Sequence, residues 1–264
     1  LVRFGVAASR EQSFIGAIAA LWAYYNTNVD TVLSIEAMKE VFINALNLDN
    51  FMMLQNGNLI EVFDPEENTD ISLYKDTKLY QRTNLNEPSE LALVKKVARS
   101  YENFRNYLRD DEVTIDYTYL WDLICMPNER LFKNGLNLVI LELKQDDMTD
   151  NVEIVCPSNH YSSSFFDSNK QSGIIMKIGN YYEPIIQYED TGGNFLVSKL
   201  FYINSSNTLP NLRSALEMIK LSTNDKCHAL PSMPKVYKFK QNISLERLVY
   251  LLESKNFKIL SQVL

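Results

Sequence analysis

Apolar residues recur at helical spacing through the first half of the chain. Between residues 12 and 25 they fall at Phe14, Ile15, Ile18, Leu21, Trp22 and Tyr25, which predicts a helix. Ser9 and Gln12 are placed to form a capping box for it. A second helix is predicted from Ser34, with Glu36 in its first turn and Met38, Val41, Phe42 and Leu46 along one face. Residues 49–63 keep no clear period, and Asn56-Gly57 marks a turn within them; residues 64–70 read as a loop. The longest pattern opens near Pro88, a residue suited to a first helical turn. It aligns Leu91, Val94, Val97, Ala98, Tyr101, Phe104 and Leu108, and its charged opposite face reads as solvated. A shorter helix is predicted over residues 116–125, ending before Pro127.

After Gly135 the pattern changes. Residues 138–143, apolar except for Glu142, read as a buried strand. Strand-like segments follow at 151–155, 173–178 and 182–188, too close together for intervening helices, which predicts antiparallel pairing. Residues 190–193 form a turn before an apolar stretch at 195–203, and a helix follows Pro210 with Leu212, Leu216 and Ile219 on one face. Beyond a loop bracketed by Pro231 and Pro234, a strand (236–240), a helix (244–253, with Ser244 as N-cap) and a strand (257–263) are predicted. Helices first and strands after give an α+β fold: N-terminal helices followed by a mostly antiparallel sheet. The expected division is a helical lobe plus central sheet over residues 1–205 and a C-terminal α/β extension over 206–264, continuing into a longer chain.

Composition changes this picture mainly by exclusion. With 264 residues, 46% of them hydrophobic, the chain can bury one large core or a core plus a satellite lobe. A formal charge of −7 offers no electrostatic footprint for phosphate backbones, which argues against direct nucleic-acid binding. No run approaches the roughly 18 uninterrupted apolar residues of a membrane span, so no membrane partner is expected. Three widely spaced cysteines, Cys125, Cys156 and Cys227, read as thiols in a reducing compartment rather than as a disulfide scaffold. The chain opens on Leu1 without a signal peptide and ends on an unclosed strand, so both ends read as cuts.

Candidate chemistry is sparse. Cys156 and His160 are the closest Cys–His pair apart from the adjacent Cys227 and His228, whose spacing suits chelation poorly; no metal site is expected. No phosphate-cradling or dinucleotide loop is present, so no cofactor is expected. Glu142 and Lys144 match half of a metal-dependent nuclease core and share one strand face. That chemistry also needs an upstream carboxylate, for which Asp116 or Asp122 would have to serve.

One order of segments is more informative. Ser13 opens the first helix, followed by Phe14, Ile15 and Ala17-Ile18-Ala19; then come Tyr119 to Asp122 around Trp121, the strand after Gly135, and Tyr181-Tyr182. This resembles the ovarian-tumour (OTU) family of papain-like deubiquitinating cysteine proteases. That family opens its first core helix on an Asp-Gly-x-Cys pattern and draws its base from a His-Tyr strand. The resemblance spans about residues 9–190 and implies an OTU/papain-like fold. It places Ser13 at the nucleophile position and Tyr181 at the base position, with Trp121 and Tyr182 as candidate binding residues. Arg10 and Glu11 replace the Asp and Gly. Serine without a base is a weak nucleophile, and Tyr for His removes that base, so the resemblance implies a degraded active site.

Gln12 to Ile15, Leu54 to Asn58, Tyr119 to Asp122 and Cys156 to Tyr161 also look like part of a large protein of the nucleocytoplasmic large DNA viruses. The two resemblances imply a non-catalytic OTU-like domain of a large viral protein, in host cytoplasm or virion, acting as scaffold or protein-binding module. Its implied partners are ubiquitin or other viral proteins. Two alternatives stay open. One is an active cysteine-type deubiquitinase or protease using Cys156 or Cys125 with His160; the other is a metal-dependent nuclease using Glu142 and Lys144. On the non-catalytic reading, Ser13→Ala and Tyr181→Phe are expected to leave folding nearly unchanged.

Overall fold

The two halves of the sequence become, in a computed structural model, a helical lobe packed on one face of an open sheet. The structure describes residues 1–6, 9–26, 31–64, 69–144, 151–157, 166–190, 192 and 195–227. The predicted elements at 236–240, 244–253 and 257–263, with His160 and His228, lie outside the described residues. The described residues hold eight helices and six strands in a mixed α+β arrangement. None of these helices is long and apolar enough to cross a membrane.

The first helix, α1 (Ser13–Tyr25), is apolar almost all round, and ten of its 13 residues are buried. Such a helix must be enclosed on every side, and the rest of the lobe does this. Helix α2 (Ile35–Ala45) is capped by Ser34, whose hydroxyl accepts from the Ala37 N–H at 3.2 Å. The region without a clear period resolves into two short helices, α3 (Leu48–Phe51) and α4 (Asn58–Val62), around a tight turn. Helix α5 (Lys78–Arg82), absent from the sequence reading, is held at its start by the Asp49 carboxylate, which accepts from the Lys78 and Leu79 N–H groups at 3.0 Å. Helix α6 (Pro88–Arg109) buries Val94, Val97, Ala98, Tyr101, Phe104 and Leu108, as its period predicts. Helix α7 (Tyr117–Cys125) starts at Asp116, which accepts from Thr118 N–H at 2.8 Å. Edge-to-face and tilted ring contacts join α3, α4, α6 and α7: Phe51 and Phe63 against Phe104 at 5.6 and 5.0 Å, and Phe63 against Tyr119 at 5.2 Å.

The turn at Asn56-Gly57 is tighter than its sequence announces. Gln55, Asn56 and Gly57 are all left-handed, with φ of 46°, 57° and 86°. For the two residues with side chains this costs on the order of 1–2 kcal/mol each. Buried partners hold it: the Gln55 N–H donates to Asp122 Oδ2 at 2.6 Å, and its side-chain amide donates to the Thr118 carbonyl.

The sheet is built from β1 (Val2–Arg3), β2 (Asn137–Leu143), β3 (Val152–Ile154), β4 (Ser172–Ile178), β5 (Tyr181–Asp190) and β6 (Phe195–Ser198). Its order is β1-β5-β4-β2-β3, with β6 also pairing β5. It is mostly antiparallel, but β2 and β4 run parallel, from Asn137 opposite Ser172 to Leu143 opposite Ile178. The expectation of antiparallel pairing fails at this one place for a topological reason. Strand β3 runs back along the far side of β2, from Val152 opposite Leu143 to Ile154 opposite Leu141, so the chain has already reversed direction once before it enters β4.

Cross-strand partners share a face, so the sheet sorts its residues into two cores. Leu138, Ile140, Ile175 and Tyr182 join α1, Leu120, Trp121 and the other lobe helices in the larger one. Val139, Ile174, Phe201 and Ile203 form a second cluster with Leu212 and Leu216 of helix α8 (Pro210–Lys226). The sheet is thus covered on both faces, and residues beyond 205 share a core with it. Gly135, with φ of +74°, leads into β2 where a Cβ would stand 2.3 Å from the Cys125 carbonyl oxygen. Only glycine fits that approach.

The structure also overturns the reading of the cysteines as unpaired. Cys156, just past β3, and Cys227, the C-cap of α8, are joined by a disulfide with a Cα–Cα distance of 5.3 Å. They are 71 residues apart in sequence, so spacing gave no sign of it. The fold brings the end of β3 and the end of α8 together.

Trp121 is 7% exposed and meets the Tyr117 ring edge-on at 5.9 Å. Replacing it with Ala should cost ~3–5 kcal/mol, read as a shift in the denaturant midpoint at unchanged slope. An unchanged midpoint would remove Trp121 from the core.

Candidate functional site

The start of α1 and the start of β5 meet. Gly179, with φ of 58°, turns the chain between β4 and β5. This brings residues 180–182 against the first turn of α1. The Ser13 hydroxyl, 3% exposed, donates to the Asn180 carbonyl at 3.1 Å and accepts from the Tyr182 N–H at 3.1 Å. It takes the place that a strand neighbour would fill for those two backbone groups. Upstream, Ser9 Oγ accepts from Gln12 N–H at 2.9 Å, but the capping box is not closed. The Gln12 side chain instead donates to the Asp110 and Val113 carbonyls at 2.9 and 3.0 Å, tying the α6–α7 loop to the start of α1. Lys39, 3% exposed, reinforces the same loop through the Asp110 carbonyl and the Asp111 carboxylate, at 2.8 and 2.7 Å.

The sequence overlay therefore selected neighbouring segments, but the side chains do not face each other. Successive residues of a strand point to opposite faces. Tyr182 lies on the α1 face, 4% exposed, with its ring edge-on to Phe14 at 5.3 Å. Tyr181 points to the other face and is 52% exposed. Ser13 thus touches the backbone on either side of Tyr181, while the Tyr181 hydroxyl is directed away from it. The two candidate binding residues, Trp121 and Tyr182, are both core side chains and present little surface to a partner.

Around Tyr182 lies a cluster that the sequence did not single out. The Tyr117 ring stands 6.3 Å from that of Tyr182, and Lys177 Nζ lies 5.9 Å from the centre of the Tyr117 ring. Lys177 donates to Glu142 at 2.6 Å across the β2–β4 pair. Burial, and then the nearby charge of Asp116, hold the Tyr182 hydroxyl well above its ordinary pKa. Burial also raises Tyr117, opposed by Lys177. Both phenols therefore keep their protons at physiological pH, and their rings pack against the start of α1.

The remaining candidates are engaged elsewhere. Glu142 is paired with Lys177, and Lys144 with Glu153 at 2.7 Å. Asp122, one proposed third carboxylate, is 5% exposed and holds the Gln55 N–H; Asp116 caps α7. Among the described residues no group of three His, Cys, Asp or Glu is placed to hold a metal ion. A nuclease reading through Glu142 and Lys144 therefore meets a carboxylate already neutralised by a lysine. In the Cys156–His160 alternative the sulfur is bonded to Cys227, so in this disulfide form Cys156 offers no thiolate to a substrate. Cys125 is a free thiol, but burial pushes its pKa up to about 12. A nucleophilic cysteine needs the opposite shift.

The geometry also revises one expectation. Ser13→Ala would leave the Tyr182 N–H and the Asn180 carbonyl without this partner in a buried setting. The variant should lose about 1–3 kcal/mol, measured by urea unfolding, whereas Tyr181→Phe at an exposed position should change stability by less than about 0.5 kcal/mol. Equal stability of the Ser13→Ala variant would show that the hydroxyl bridge contributes nothing.

No family model matches the chain. A protein of Acanthamoeba polyphaga mimivirus, "Uncharacterized protein R327", is 26% identical over 147 residues. The match covers 51% of this chain and 9% of that protein, so it spans less than a tenth of the relative's length. The similarity points to a giant-virus origin for the chain.

Proposed function

We propose that this chain is a non-catalytic OTU-like domain, a pseudo-deubiquitinase, within a large giant-virus protein, and that it serves as a scaffold or protein-binding module. The observation that carries the reading is the buried Ser13 hydroxyl at the start of α1, fixed at 3.1 Å to backbone groups on both sides of Tyr181. A nucleophile at a helix start beside a strand is the arrangement that a papain-like protease needs. Here the hydroxyl proton is directed at a carbonyl, which cannot act as a general base, and the oxygen is closed off from solvent. The acidic balance of the chain, −7, favours a protein partner over a phosphate backbone. Tyr181, Tyr188 and Leu196, exposed by 52%, 47% and 58% on β5 and β6, are apolar groups of the kind that anchor protein contacts.

The test is a titration of the isotope-labelled 264-residue chain with ubiquitin, alongside a fluorogenic ubiquitin C-terminal conjugate as hydrolysis substrate. The reading expects resonance shifts on β5 and β6 and no hydrolysis above the uncatalysed rate. Hydrolysis that Ser13→Ala abolishes would overturn the non-catalytic assignment. Absence of any shift at millimolar ubiquitin would remove ubiquitin as the partner.

A further inference from the structure

We propose that Cys156 and Cys227 are a reversible thiol–disulfide site whose oxidation latches the end of α8 to the sheet. The bond joins two elements that otherwise hold each other weakly. Helix α8 is anchored to the second core through Leu212 and Leu216, 2% and 0% exposed, with Ile219 packed beside them. Among the described residues this apolar attachment thins over the second half of the helix. Met218 and Leu221 are 64% and 63% exposed. Among the described residues, Thr223 is buried but bonds back to the Ile219 carbonyl of its own helix, and Lys220 Nζ donates to Ser168 Oγ at 3.1 Å. A helix end with so little buried apolar contact opens at low free energy. The Cys156–Cys227 bond lies where it prevents that opening, at the C-cap of α8 and just past β3, a strand only three residues long.

The chemistry of the three cysteines keeps the pairing selective. Cys156 is half-buried, whereas Cys227 is 4% exposed, so Cys156 is the more open of the two to an exchange partner. Cys125 is half-buried against the larger core on another part of the fold, at the end of α7, and desolvation raises its thiol pKa, which lowers the thiolate it offers to either sulfur. The oxidant is a small-molecule or protein disulfide, by the ordinary exchange route. The Cys156 thiolate attacks one sulfur of that disulfide and releases the other as a thiol. The Cys227 thiolate then displaces the second sulfur from the mixed disulfide. The protein gives up two protons and two electrons, and the oxidant leaves as two thiols. A dithiol reductant reverses both steps.

The experiment uses the 264-residue chain, equilibrated either with oxidised glutathione or with dithiothreitol. Free thiols are counted by alkylation and intact mass in denaturant, and backbone hydrogen exchange is followed under native conditions. The expected counts are one alkylated cysteine after oxidation and three after reduction. Reduction should speed exchange at least tenfold over the last turn of α8 and leave β2 and β4 unchanged. Cys227→Ser in the oxidising buffer should match the reduced chain, and the reduced wild type supplies the same comparison without a variant. Three free thiols after oxidised glutathione would overturn the proposal. So would a bond that resists dithiothreitol in the folded chain, or exchange that is equal in the two forms or rises uniformly throughout.

Discussion

Enclosure of α1 is the constraint on which the other elements depend. A helix with Phe14, Ile15, Ile18 and Leu21 fully buried, and with small residues Gly16, Ala17, Ala19 and Ala20 between them, has no face to offer water. The sheet supplies one wall. At Gly173 it comes so close that an added Cβ would stand 2.7 Å from Leu21 Cδ1. Helices α2 and α7 supply others, and α6 closes the lobe through an aromatic network. The polar groups near the start of α1 serve the same end. Ser13, Gln12 and Lys39 are buried, yet each meets a backbone carbonyl, so little of the burial is offset by unsatisfied groups.

Much of this was legible in the chain because long periodic segments announce themselves. The patterns behind α1, α2, α6, α7 and α8 are each nine residues or longer, enough for the 3.6-residue period to stand out. Helix α5 and strand β1, at five and two residues, are too short to carry a period, and tertiary contacts fix them. The β2–β4 pairing was hidden for a different reason. Each strand reads correctly alone, but whether two strands run parallel depends on where the chain goes in between, and the reversal at β3, three residues long, carries little pattern of its own.

The candidate site shows a finer limit. Segment order alone brought the start of α1 beside the start of β5. The pleat then decided which tyrosine faces the helix: Tyr182 turns inward and Tyr181 outward, a difference of one residue that no overlay of motifs resolves. The roles of Glu142 and Lys144 were also beyond the sequence, because their partners, Lys177 and Glu153, come from neighbouring strands. The disulfide was illegible for a related reason, since its two halves meet only once β3 and α8 are in place.

The left-handed turn at residues 55–57 has a practical consequence. An Asn-Gly turn looks like a permissive loop tip, the usual choice for a peptide tag, a domain graft or a circular-permutation break. Here the backbone just before it is clasped by a buried carboxylate from α7, and the turn is closer to a keystone than to a hinge. An engineer choosing a split point should leave it whole. The exposed Asn84–Asn86 corner ahead of α6, held by its own side chains and the Glu90 carboxylate at the helix start, can be opened with far less of the interior at stake.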